Sequence, residues 1–100
     1  MFEVNDTTYI LRFNKQKVKT VELTSGISLV AALTANKGIL SYQVIETLFV
    51  SGLVEEKGLV PVKQKEALEI FDKLVEEQGL ISLNVAVIEK LQEDMGFLFR

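Results

Sequence analysis

The chain has 100 residues, 48% of them hydrophobic and 25% charged, so it can bury its own core and is not of disordered composition. Its 11 basic and 14 acidic residues give a formal charge of -3, which argues against nucleic-acid binding because that function needs a basic face. The absence of cysteine and histidine excludes disulfides, thiolate and histidine-based catalysis, and nearly all zinc sites.

The first predicted element is a β-hairpin. Two short runs rich in β-branched and aromatic residues, FEV and TYILRF, are separated by Asn5 and Asp6, which favour a tight turn. Along the second run, Tyr9, Leu11 and Phe13 alternate onto one face. We expect that face to pack against the core.

About four helices are predicted to follow. Asn14 is a good N-cap for the segment KQKVKTVELTSG, although its alternating lysines would also suit a strand. The later helices have serine start signals and glycine stop signals: Ser28 to Gly38, Ser41 to Gly52, a helix ending at Gly79, and Ser82 to Gly96. The stretch LVEEKGLVPV, between the helices, is expected to be a loop.

The last two helices have clear apolar stripes. In the first, the predicted core positions are Ala67, Leu68, Phe71, Leu74 and Val75, with acidic residues on the opposite face; in the second they are Val87, Ile88, Leu91 and Met95. The predicted fold is therefore a single, mostly helical α+β domain over residues 1–100, with an N-terminal β-hairpin followed by about four helices.

Candidate catalytic and metal-binding residues are few. The adjacent acidic pairs Glu55-Glu56, Glu76-Glu77 and Glu93-Asp94 would point in different directions on a helix, which indicates surface positions. No calcium loop and no glycine-rich phosphate loop is recognisable. We expect no enzyme activity, no cofactor and no metal.

Two segments are candidates for partner binding. The first is a basic stretch near aromatic residues, a pattern that can also track nucleic acid: Arg12, Lys15, Lys17 and Lys19. The second is the C-terminal run of Phe97, Leu98 and Phe99. After the stop at Gly96 this run is predicted to be extended. The favoured expectation is an edge strand on the hairpin that seals the core, and the alternative is docking onto another subunit or partner.

The order YILRFN, TVELTSGISL, ALEIFDKLVEEQGL and a terminal GFLF resembles the tail assembly chaperones of long-tailed bacteriophages, small acidic proteins encoded just ahead of the tape measure protein. The matching features are Leu11-Arg12-Phe13, Glu22 and the Gly26 turn. The resemblance implies binding to the tape measure protein, recruitment of tail tube protein, and no cofactor or active site. Some family members also have a longer form made by ribosomal frameshifting.

Two other functions stay open: an oligomeric component of a phage head–tail connector and, more weakly, a small DNA-binding regulatory protein. We expect a homo-oligomer without nucleic-acid or membrane partners. No apolar run approaches the roughly 18 residues of a membrane span, and the N-terminus has no secretory pattern. The expected location is the cytoplasm of an infected or lysogenic bacterial host.

Overall fold

The chain folds into a three-stranded antiparallel sheet packed against helices, which confirms the predicted α+β, mostly helical class. The computed structural model describes residues 2–35 and 38–100. In chain order, the elements are β1 (Phe2–Val4), β2 (Thr7–Leu11), α1 (Lys15–Ser25), α2 (Leu29–Ala35), α3 (Tyr42–Gly52), β3 (Leu53–Glu55), α4 (Gln64–Gln78), α5 (Leu80–Asp94) and a C-terminal 3-10 helix (Gly96–Phe99).

The predicted hairpin is present, with Phe2 opposite Tyr9. Its turn residues Asn5 and Asp6 have φ values of 50° and 65°. Two consecutive positive φ values are typical of the type I′ turn, whose twist matches that of the paired strands. Apart from glycine, Asn and Asp are among the residues that adopt a positive φ most readily. The alternating face of β2 is buried as predicted.

The stretch predicted to be a loop contains a third strand, so that prediction was wrong. Strand β3 pairs with β2, and Leu53 lies opposite Leu11. The chain then folds back along the outer edge of β3, where the N–H of Glu55 donates to the carbonyl of Val60 at 2.9 Å. The apolar run Leu53-Val54 is too short to be recognised as a strand from its sequence. These two residues are buried because neighbouring elements pack against them.

The segment after Asn14, whose alternating lysines would also have suited a strand, forms helix α1. The side chain of Asn14 accepts a hydrogen bond from the N–H of Lys17 at 2.8 Å, and Gly26 ends the helix with a φ of 72°. Helix α2 then leaves at 81° to α1. A carboxylate oxygen of Glu22 accepts the N–H of Leu29 at 2.6 Å, so a side chain from α1 caps the start of α2. Gly38 has the predicted positive φ, but residues 36–37 before it lie outside the described ranges.

Helix α3 lies at the centre of the core. The centroid of the Phe49 ring lies 5.3 Å from that of Phe2 and 5.2 Å from that of Phe71. These three packed rings connect the sheet, α3 and α4. The helix ends at Gly52 as predicted, and close packing leaves room only for glycine at this position. A Cβ on Gly52 would lie 2.7 Å from the Phe13 ring.

The stripes of α4 and α5 are largely confirmed. Five predicted positions are buried, namely Ala67, Phe71, Leu74, Val87 and Leu91, and Met95 is buried just after α5. Leu68, Val75 and Ile88 are only partly buried, whereas Ile70 and Leu83 are buried in addition. Helix α5 begins at Leu80 and not at Ser82, because Gly79, with a φ of 88°, makes the whole turn between the two helices.

The C-terminal run is not the predicted edge strand. It forms the 3-10 helix, in which the N–H of Leu98 donates to the carbonyl of Met95 at 3.0 Å. Leu98 packs against the core, while Phe97 and Phe99 stay 47% and 38% exposed. Consecutive side chains of a 3-10 helix point about 120° apart, so one of the three faces the core and the others face outwards.

Within the described ranges, no single helix is long and apolar enough to cross a membrane; only the bent pair α1 and α2, taken together, has the length and composition.

Candidate partner-binding surfaces

The structure brings the start of the basic stretch and the C-terminal aromatic run together. The ammonium group of Lys15 lies 5.6 Å from the centroid of the Phe97 ring. This distance is within the range of a cation–π interaction. The two segments that the sequence singled out separately therefore meet at the beginning of α1.

The four basic residues do not form one stripe. At 3.6 residues per turn, Lys19 projects about 40° from Lys15 on α1, whereas Lys17 projects about 160° from Lys15. The ammonium of Lys17 donates a 3.1 Å hydrogen bond to the carbonyl of Arg12. Burial, and secondarily the nearby Arg12 charge, lower the pKa of Lys17. Lys15, which contacts Phe97, and Lys19 therefore lie on one exposed face of α1, and Arg12 is exposed just before that helix.

We call Lys15, Lys19, Phe97 and Phe99 the basic–aromatic cluster. It offers two ammonium groups and two half-exposed rings. Leu98 is not part of it, because that side chain packs against the core. Such a cluster can contact an anionic or aromatic group of a partner.

A second surface is a groove between α1 and α3. Two adjoining cavities, of about 410 and 480 Å³, share the lining residues Val21, Thr24, Gln43 and Thr47, and they are considered together as one depression. Its apolar lining comes from α1, α3, α4 and the adjacent loops: Val21, Ile27, Val44, Val50, Val62 and Leu68. We call this depression the α1–α3 groove.

The α1–α3 groove is almost free of charge. Among the described residues that line it, Glu46 alone is charged, although a quarter of the chain is charged. By contrast, the cavity between the hairpin and α5 is lined by Glu89, Lys90 and Glu93. In the sequence, the groove corresponds to threonine and glutamine positions on the sides of α1 and α3. A search for apolar periodicity does not detect such positions.

A third surface lies beside Asn84 of α5. The Asn84 amide accepts the N–H of Leu40 at 3.0 Å and donates to the carbonyl of Gly38 at 3.2 Å. Ile39 lies between the two residues that Asn84 binds, Ile81 and Val85 lie one turn apart on α5, and all three aliphatic side chains are exposed. We call these three residues the α5 patch. Its sequence signal was a single asparagine inside an apolar helix.

In the described ranges, no group of three or more acidic side chains is arranged to hold a metal ion.

Comparison of the chain with protein-family models, with curated proteins and with solved structures gives no match.

Proposed function

We propose that this chain is a phage tail assembly chaperone that binds the tape measure protein and helps to recruit tail tube subunits. The resemblance in its strand, turn and C-terminal segments supports this function. The structural observation that carries the proposal is the α1–α3 groove, since a chaperone for a long helical protein needs a surface that accepts a helix. The groove provides apolar lining with almost no charge.

The dimensions of the groove suit a short helical segment. Its lining residues on α3 run from Ser41 to Ser51, which corresponds to about 15 Å along the helix at 1.5 Å per residue. Peptide helices commonly bind by laying an apolar face into a groove between helices. One copy would therefore cover about three turns of a target helix, and coating a long target requires many copies.

The α5 patch offers a separate contact surface. Ile81 is 82% exposed and Ile39 is 65% exposed, so burial of these side chains against a protein partner removes apolar area from water. Neither residue lines the α1–α3 groove. A tail tube subunit or a neighbouring chaperone copy could therefore bind there while the groove is occupied.

Co-expression with the tape measure protein tests the proposal. The tape measure protein of the same phage, expressed with an affinity tag, should be soluble with this chain and insoluble without it, and the two should co-purify. The control is co-expression with the tape measure protein of an unrelated phage.

The connector alternative predicts a different result from the same preparation. A connector component would form closed rings when purified alone, and the tape measure protein would stay insoluble in its presence. That outcome, measured by size-exclusion chromatography with light scattering, would overturn the chaperone proposal.

A further inference from the structure

We infer that the α1–α3 groove selects an α-helical segment of the partner whose contacting face is uncharged apart from one basic residue opposite Glu46. This inference rests on the proposed function, because it specifies which part of the tape measure protein the groove binds.

Three of the hydroxyl groups that line the groove donate within their own helices. Thr20 donates to the carbonyl of Gln16 at 2.9 Å, Ser25 to that of Val21 at 2.6 Å, and Thr47 to that of Gln43 at 2.8 Å. These protons are used within their own helices, so the side chains have no need of a polar ligand. Apart from Glu46, the other polar side chains of the lining, among them Thr24, Gln43 and Gln64, are uncharged, so the groove presents an otherwise neutral surface to a partner.

A neutral lining disfavours charged side chains in the bound segment. A charge that leaves water without a partner loses its solvation energy and gains no compensating interaction. The lining residues include no aromatic ring and are largely small or medium-sized, such as valine, serine and threonine. They therefore suit small and medium-sized side chains of the bound segment. A helix face of alanine, valine, leucine or threonine satisfies both conditions.

Glu46 is the charged residue of this otherwise neutral lining, and it favours a positive charge on the bound segment. It lies on α3 one turn before Val50, is partly buried, and takes part in neither ion pair of the described chain. A bound helix would remove more water from its carboxylate. A lysine or arginine at that position of the segment supplies a charge-assisted hydrogen bond in return.

A matched pair of arginine substitutions tests the site. Thr24 lines the groove, whereas its neighbour Leu23 is 86% exposed and does not line it. Thr24→Arg should weaken binding of the tape measure protein by about tenfold or more, since it places a bulky charge in the neutral groove. Leu23→Arg should bind within about twofold of the wild type and controls for the added charge.

Removal of the Glu46 charge tests the second half of the inference. The probes are two model helices of about 15 residues, a length at which isolated helices become stable, with an alanine–leucine–valine face and either one lysine or one glutamate beside it. The wild type should bind the lysine peptide more tightly than its glutamate twin. Glu46→Gln should abolish this preference, whereas Glu76→Gln, on the exposed side of α4, should keep it.

The outcomes separate the inference from the proposed function. If the wild type binds the tape measure protein and Thr24→Arg binds as well as Leu23→Arg, the groove is not the site although the chaperone function stands. If the lysine peptide binds with the expected preference and the tape measure protein does not bind, the groove chemistry stands and the chaperone function is wrong. Equal binding of both peptides to the wild type overturns the role of Glu46.

Discussion

The backbone N–H of Phe13 donates a 2.8 Å hydrogen bond to the carboxylate of Asp94, 81 residues later in the chain. Asp94 also lies 3.3 Å from the ammonium of Lys90, one turn earlier on α5. This carboxylate therefore joins the end of α5 to the connection between β2 and α1. The same region carries the basic–aromatic cluster, since Phe13 shortly precedes α1 and Asp94 shortly precedes the 3-10 helix.

Asp94→Ala should lower the free energy of unfolding by about 1–3 kcal/mol, because the partly buried N–H of Phe13 loses its acceptor. Glu93→Ala is the control, since Glu93 contacts the same Lys90 ammonium but is 71% exposed, and its removal should cost less than about 1 kcal/mol. Urea denaturation at neutral pH measures both values. Equal effects of the two substitutions would show that the Phe13 contact adds no stability.

Gly52→Ala should destabilise the protein because the new methyl group would lie 2.7 Å from the Phe13 ring. Overpacking of this kind costs about 1–3 kcal/mol. The control is Gly96→Ala, where nothing lies within 4 Å of the added carbon. A second substitution, Phe13→Leu, should recover part of the loss in the Gly52→Ala background; if the two effects simply add, the contact with Phe13 is not its cause.

The C-terminal 3-10 helix should contribute to stability mainly through one side chain. Leu98→Ala should cost about 1–2 kcal/mol, below the range for a fully buried leucine because Leu98 is only partly buried. Phe97→Ala should cost no more than about 1 kcal/mol, the size of an exposed cation–π contact with Lys15. Thermal melts of the two variants provide the measurement, and the reverse order would mean that Phe97 carries the packing.

The α5 patch should mediate association of this chain with itself. Ile81→Glu should raise the dissociation constant of the oligomer at least tenfold and leave the melting temperature of the subunit unchanged, because Ile81 is almost fully exposed. Leu23→Glu, equally exposed on α1, is the matched control and should not alter association. Sedimentation equilibrium over a range of concentrations distinguishes them, and a monomeric wild type would contradict the prediction.

Elements with strong local signals were predictable from the sequence. Asn14, Gly26 and Gly79 act through their own backbone conformation or through neighbours a few residues away, and such signals are visible in a short window. Strand β3 depends on pairing with β2, more than 40 residues earlier, so two apolar residues in a turn-rich stretch carried too little information. Tertiary pairing decided that segment.

The candidate surfaces were predictable only in part. The aromatic and basic residues were identified by type, but helix geometry separates Lys17 from Lys15. The 3-10 turn directs Leu98 towards the core and leaves the rings on either side of it exposed. The α1–α3 groove exists because two helices distant in sequence lie side by side. Its defining property is a shortage of charge, which no single residue displays.

Tyr9 should make stability fall at high pH. Burial, together with the nearby Glu66 carboxylate, raises the pKa of Tyr9 above its ordinary value of 10.0. The unfolded chain therefore loses the phenol proton first, and the stability difference is lost as pH rises from about 10 towards the folded-state pKa. Tyr9→Phe keeps the ring between β2 and the core but removes the proton. Urea denaturation at pH 9 and pH 11 should show a larger loss of stability for the wild type than for Tyr9→Phe. Equal losses in the two proteins would rule out Tyr9 as the titrating group.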